Sequence, residues 1–126
     1  MTHIRPCPRA KIMVVEDEPI IRIDLIDALE EEGFQVVEAV NASEALHVLQ
    51  ANSDITGVVS DVNMPGSMDG IRMAQVIRGH SPQMVLILVS ARALSLEMLP
   101  EETRFFSKPL DFPALLTTLN AVLPAS

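Results

Sequence analysis

The chain has 126 residues and a formal net charge of −8, with 48% hydrophobic residues, 3% aromatic ones and neither Trp nor Tyr. That length suits one domain with one core, and the acidic balance, with Lys11 and Lys108 as the only lysines and the arginines scattered, argues against direct binding of nucleic acid. The lone Cys7 closes no internal disulfide, no apolar run approaches the roughly 20 residues of a membrane span, and no signal-peptide pattern opens the chain, so a cytoplasmic protein without membrane insertion is expected.

Residues 1–10 carry two prolines and no periodicity and read as a flexible tail before a domain over 11–126. Lys11 to Val15 is a first short strand, followed at once by Glu16-Asp17-Glu18. Pro19 suits the first turn of a helix, where its missing N–H leaves no bond unmade. That helix runs to about Glu32 and stops at Gly33. Ile21, Leu25, Ala28 and Leu29 fall on one face and are expected to meet a sheet, while Ile20 and Ile23 project among acids on the other. Isolated surface apolar residues are common, so that pair reads as ordinary surface rather than a docking patch.

Gln35 to Ala39 is a second strand. Asn41 and Glu44 have the spacing of a capping box that opens a helix ending near Asn52. Ile55 to Asp61 is a third strand, β-branched and bounded by turn residues, with Asp61 where the apolar run stops and Pro65-Gly66 as a turn signal. Asp69 caps a third helix that ends near Gly79. Met84 to Val89 is an almost wholly apolar strand, expected to be central, and delivers Ser90. Arg104 to Ser107 is a shorter strand delivering Lys108-Pro109, and Asp111 caps a last helix with Leu115, Leu116, Leu119 and Val122 on its apolar face. Strands alternating with helices imply a parallel sheet covered on both faces.

In such a sheet the polar residues that end strands 1, 3, 4 and 5 share one edge: Glu16-Asp17, Asp61, Ser90 and Lys108. Carboxylates gathered within a few ångströms repel unless a cation joins them, and Mg²⁺ suits one or two carboxylates plus waters and a phosphate. Lys108 adds a compact ammonium donor and Ser90 a hydroxyl. Together these are the parts that stabilise charge on a transferring phosphoryl group, with an aspartate as covalent acceptor. Each part has a plainer reading when taken alone, as a helix-start acid, a turn aspartate or a surface lysine. The weight comes from their order, each placed after its own strand.

The chain resembles the receiver domain of two-component response regulators over about residues 10–123. The resemblance is carried by Val14-Val15-Glu16-Asp17-Glu18-Pro19, Val58-Val59-Ser60-Asp61-Val62-Asn63-Met64-Pro65, Met68-Asp69-Gly70, Val89-Ser90-Ala91 and Lys108-Pro109. It implies a doubly wound, five-stranded parallel sheet in the flavodoxin-like order 2-1-3-4-5. It implies that Asp61 accepts a phosphoryl group from a histidine kinase or histidine phosphotransfer protein. Glu16, Asp17, Asp61 and the backbone carbonyl of Asn63 would hold Mg²⁺, Ser90 and Lys108 would bind the phosphoryl oxygens, and Phe105 would be the aromatic switch that turns inward. Such a protein acts by changing its contacts with a downstream protein target and is not an enzyme with a separate small substrate, although it assists its own phosphorylation and dephosphorylation. With no output domain after the last helix, a stand-alone receiver is expected.

The pattern departs from the family in several places. Ser90 replaces the commoner Thr, Gly66-Ser67 lengthens the loop after Asp61, and Ala91 to Thr103 is short and broken by Pro100, so the fourth helix is expected to be reduced to about one turn or irregular. A degenerate receiver that binds partners without phosphorylation is the alternative from the interaction class. A phosphatase resembling the haloacid-dehalogenase family is the alternative from the enzyme class, but Asn63 stands where its acid/base aspartate would be and cannot transfer a proton. A flavin-binding domain would need a phosphate loop where Glu16-Asp17-Glu18 would repel phosphate. His3, His47 and His80 show no ligand spacing, and the methionines read as packing residues.

Overall fold

The computed structural model describes residues 9–63, 68–92 and 99–123. The described elements are β1 (Arg9–Val15), α1 (Pro19–Glu31), β2 (Phe34–Ala39), α2 (Ala42–Ala51), β3 (Ile55–Asp61), α3 (Gly70–His80), β4 (Val85–Ser90), β5 (Thr103–Ser107) and α4 (Phe112–Val122). The five strands form one sheet in the order β2-β1-β3-β4-β5, and every pairing is parallel. This is the doubly wound order expected from the sequence. β4 is interior, as its apolar run implies, but the middle of the sheet is β3.

Alternation along the strands divides the core in two, because successive side chains point to opposite faces. Met13, Val15, Val58, Leu86 and Leu88 face α2 and α3, where they meet Ala45, Met73, Ala74 and Ile77. Ile12, Val14, Val59, Ile87 and Val89 face α1 and α4, where they meet Leu25, Leu29, Leu115 and Leu119. Burying a Val, Leu, Ile or Met side chain contributes roughly 1.5–3 kcal/mol each, so these two aliphatic layers supply the main driving force.

Helix boundaries follow local chemistry. Pro19 opens α1, and Gly33 ends it with φ of 93°, a left-handed value that glycine adopts without a Cβ penalty. Asn41, Asp69 and Asp111 each accept the N–H three residues on, from Glu44, Arg72 and Ala114. The Glu44 carboxylate reaches back to the N–H of Val40 rather than Asn41, one residue earlier than in a regular capping box.

Several expectations are corrected. β1 begins at Arg9, so Arg9 and Ala10 leave the tail for the strand, Arg9 paired with Phe34 and Ala10 at a register irregularity, while residues 1–8 lie outside the described residues. Ile21 does not pack under α1: it is 40% exposed, with Ile20 at 71% and Ile23 at 54%. The buried residues of α1 are Leu25 and Leu29, one and two turns further on, with Ile26 packed beside them against the same layer. The expectations of a reduced helix between Ala91 and Thr103 and of a lengthened loop at Gly66-Ser67 fall largely on residues 93–98 and 64–67, outside the described residues.

Candidate functional site

The register aligns the carboxyl ends of the strands. Val15 pairs with Ser60, so the next residues, Glu16 and Asp61, emerge side by side. Asp61 pairs with Val89 and Ser90 with Ser107, which puts Ser90 one step and Lys108 two steps further along the same edge. The backbone bonds continue past the strands: Val62 N–H donates to Val89, Glu16 N–H to Ala39 and Lys108 N–H to Ser90. The sequence motifs are therefore brought to one edge by the ladder itself.

Glu16, Asp17 and Asp61 each present a carboxylate oxygen, and the three lie within 4.8 Å of one another. Glu16 and Asp61 are buried and Asp17 is exposed. Lys108 Nζ lies 3.1 Å from Asp61 Oδ2 and 3.4 Å from Glu16 Oε1. The second oxygen of Asp61 accepts the N–H of Asn63 at 3.2 Å, and the second oxygen of Glu16 accepts the N–H of Glu18 at 3.2 Å. Asn63 is thus tied to the aspartate through its backbone, with its side chain exposed. Ser90 is fully buried, and its hydroxyl accepts the N–H of Arg92 at 3.1 Å.

The electrostatics follow from this crowding. Burial raises the pKa of Glu16, the Glu18 N–H opposes that, and the neighbouring Asp61 raises it further. Burial alone would lower Lys108, but the hydrogen bond and charge of Asp61, then those of Glu16, outweigh it and the ammonium pKa is raised. A lysine so held stays charged, while a buried carboxyl is pushed toward its neutral form. A cluster with too much negative charge and too little water suits a hard divalent cation, which takes oxygen ligands only.

Phe105 is half-buried and pairs with Leu88, whereas Phe106 packs against the layer shared with α1 and α4. The two phenylalanines thus point to opposite faces of an edge strand. Among the described histidines, His47 and His80 are exposed on α2 and α3. A cavity of about 540 Å³ opens beside Asp61 and Lys108, walled by Ile21, Leu25, Val89, Leu110 and Phe112.

Two residues at the site were not singled out by sequence reasoning. Arg22 Nη1 donates to the backbone carbonyl of Glu16 at 3.0 Å. Its sequence signal is a cation six residues after Glu16, close to the helix N-terminus, where the dipole disfavours positive charge. Gly70 opens α3 directly behind the phosphoacceptor candidate: its N–H donates to Val62 at 2.8 Å, and a Cβ there would collide with the Asp61 carbonyl oxygen and sit 2.8 Å from Val62 Cα. The Met68-Asp69-Gly70 motif was visible in the sequence, but this close approach was not.

Comparison with known proteins converges on one family. The family described as response regulator receiver domain matches residues 12–120. The chain is 34% identical over 119 residues to the sensor kinase CckA of Brucella abortus, covering 90% of this chain and 12% of that protein. It is 40% identical over 112 residues to the sensor histidine kinase RcsC of Salmonella typhi, covering 86% of this chain and 12% of that one. The chain thus spans about an eighth of the length of these curated relatives. Among solved structures, the receiver domain of the hybrid histidine kinase CckA superposes with a TM-score of 0.79 at 28% identity, covering 91% of this chain and all of that one. The chemotaxis protein CheY4 of Vibrio cholerae gives 0.79 at 28% identity, covering 91% and 99%. The matched segment holds the whole sheet edge that carries Glu16, Asp17, Asp61, Ser90 and Lys108, and the chain belongs to the response regulator receiver domains of two-component systems.

Proposed function

We propose that this receiver is a phosphorylatable switch in which Asp61 takes a phosphoryl group from the phosphohistidine of a histidine kinase or histidine phosphotransfer protein. The observation that carries this reading is the Lys108 ammonium held between Asp61 and Glu16 inside a three-carboxylate cluster. In the transfer an Asp61 carboxylate oxygen attacks phosphorus, the new O–P bond forms, the P–N bond to the donor imidazole breaks, and that imidazole nitrogen leaves with the electron pair. Dephosphorylation is attack by water on the same phosphorus, which returns the Asp61 carboxylate and inorganic phosphate.

Glu16, Asp17, Asp61 and the carbonyl of Asn63 are the residues that would hold Mg²⁺. Their donor chemistry fits, with carboxylates in excess of cations and an acid, Glu16, whose pKa is raised by burial and then by the neighbouring Asp61. When bound, the ion supplies positive charge opposite the phosphoryl oxygens. Lys108 keeps its proton and donates to a phosphoryl oxygen, exchanging its bond to Asp61 for one to the new phosphate. The Ser90 hydroxyl leaves the N–H of Arg92 to donate to another phosphoryl oxygen. That shift vacates space beside β4, and Phe105 on the neighbouring strand turns inward, changing the surface offered to a downstream protein target. The chain works in the cytoplasm and by protein contact; among the described residues no helix is long and apolar enough to cross a membrane.

Intact mass after incubation with acetyl phosphate, with and without Mg²⁺ and beside Asp61→Asn, tests the reading. The expected result is a Mg²⁺-dependent phosphoryl adduct absent from Asp61→Asn. No adduct under any condition would favour a receiver that acts as an interaction module without phosphorylation. An adduct that persists in Asp61→Asn would move the acceptor to another residue.

A further inference from the structure

Every hydrogen-bonding atom of Glu16 is held. Its N–H donates to the Ala39 carbonyl at 3.1 Å, Oε2 accepts from Glu18, Oε1 from Lys108, and its carbonyl from Arg22 at 3.0 Å. Three of these partners are backbone groups or belong to the site itself. Arg22 is neither: it reaches back from α1, and its guanidinium spans to β2, where Nε lies 3.3 Å from Glu38 Oε1. The Nε–H is not aligned for a hydrogen bond to that oxygen, so the contact is an ion pair of distance rather than a directed bond. The Arg22 side chain is only 15% exposed, whereas Glu38 is 57% exposed.

The placement runs against helix electrostatics. Arg22 is the fourth residue of α1, beside the positive end of the dipole, and the first turn of that helix has no acidic residue to offset it. A guanidinium there loses hydration and dipole energy, which the bond to the Glu16 carbonyl and the charge of Glu38 offset. Arg suits this because its extended planar guanidinium can donate from Nη1 to the Glu16 carbonyl while its delocalised charge lies beside Glu38, a reach that a compact ammonium lacks.

We propose that Arg22 is a positioning residue for the acidic pair: by joining the Glu16 carbonyl to Glu38 on β2 it fixes the turn between β1 and α1, so that Glu16 and Asp17 present their carboxylates to a cation in one geometry. This rests on the metal reading above. Groups that orient ligands from behind are typically felt as 10–100-fold in metal affinity. The carbonyl carbon of Glu16 is bonded directly to the Asp17 nitrogen, so a loosened turn moves both carboxylates together.

The test is Mg²⁺ titration of the full chain followed by backbone-amide NMR, with hydrogen exchange of the metal-free protein, for wild type, Arg22→Met and Arg22→Lys. Arg22→Met is expected to weaken Mg²⁺ binding about tenfold and to speed exchange of the Glu18 amide while the sheet amides keep wild-type protection. Arg22→Lys is expected to fall between the two, since one ammonium reaches the carbonyl but does not extend to Glu38. Wild-type affinity in both variants overturns the proposal. So does a loss accompanied by faster exchange throughout the sheet, which marks Arg22 as a residue of general stability. Wild-type protein that binds no Mg²⁺ overturns the metal reading instead, and the Glu18 amide then still reports whether Arg22 holds the turn.

Discussion

Lys108 Nζ sits 3.1 Å from Asp61 Oδ2 although Lys108 follows β5 and Asp61 ends β3, strands that are not neighbours in the sheet. The lysine side chain crosses the end of β4 to make this contact. Only a long, single-charge side chain placed just past an edge strand reaches so far, and the same ammonium also meets Glu16 beyond β3. It is therefore the one described cation that touches two of the three clustered carboxylates.

Removing that ammonium leaves buried carboxylates without compensation. Lys108→Met is expected to destabilise the metal-free protein by about 1–3 kcal/mol at neutral pH, the range for a polar group left buried without its partner. Urea unfolding of the variant and wild type checks this. The same variant is expected to keep Mg²⁺ binding largely intact while phosphorylation no longer changes the conformation, read as amide shifts on β4 and β5. A phosphorylated Lys108→Met that shifts those amides as wild type does would remove the lysine from the switch.

The pH dependence of stability has two parts with the same sign. Glu16 has a raised pKa in the fold, so the native state holds a proton that the unfolded chain has already lost, and stability falls as pH rises through the window just above the ordinary glutamate range. Lys108 also has a raised pKa, so its contribution is complete below the ordinary lysine range and is lost as pH climbs through the raised value. Glu16→Gln is expected to stabilise the metal-free protein at pH 7 and to lose that advantage near pH 4. Thermal melts at the two pH values measure it, and an equal effect at both would contradict the assignment of the strain to the Glu16 charge.

Gly70→Ala places a methyl against Val62 Cα and the Asp61 carbonyl. Both are backbone atoms, so neither can swing aside. The expected cost is about 1–3 kcal/mol, the usual range for overpacking. Because the displaced backbone belongs to Asp61, the variant is also expected to label more slowly with acetyl phosphate than wild type even under conditions where it is fully folded. A change in melting temperature without a change in labelling rate would confine Gly70 to packing.

Asn41→Ala removes the side-chain acceptor of the Glu44 N–H at the start of α2. A loss of about 1 kcal/mol is expected, as for other N-caps, with phosphorylation unchanged. Urea unfolding and intact mass together check that stability and site chemistry separate at this end of the molecule.

Much of the protein is legible in its amino-acid sequence. The alternation of apolar strands with capped helices determined a parallel sheet covered on both faces, because periods of about two and 3.6 residues are set by local geometry. The strand ends at Glu16, Asp61 and Ser90 were readable because a polar residue closes a mainly apolar run, and Lys108 because it stands with Pro109 after a short strand. The start of β1 at Arg9 was not, since Arg9 is drawn into the sheet by pairing with Phe34 of β2, which no property of the residues announces. The face of Ile21 was misjudged because helical spacing tells which residues share a side, not how far the sheet extends beneath them.

Tertiary structure alone decided the contacts across long separations. Lys108 meets Glu16 across 92 residues and Asp61 across 47. Arg22 reaches Glu38 on another strand, and Gly70 abuts the Asp61 carbonyl. These depend on strand order, register and the depth at which each helix starts, quantities fixed by the packing of two aliphatic layers on one sheet. The sequence by itself determined which chemistry is available at the sheet edge. The fold decided which atoms of it touch, because distance between side chains is a property of the packed chain and not of any stretch within it.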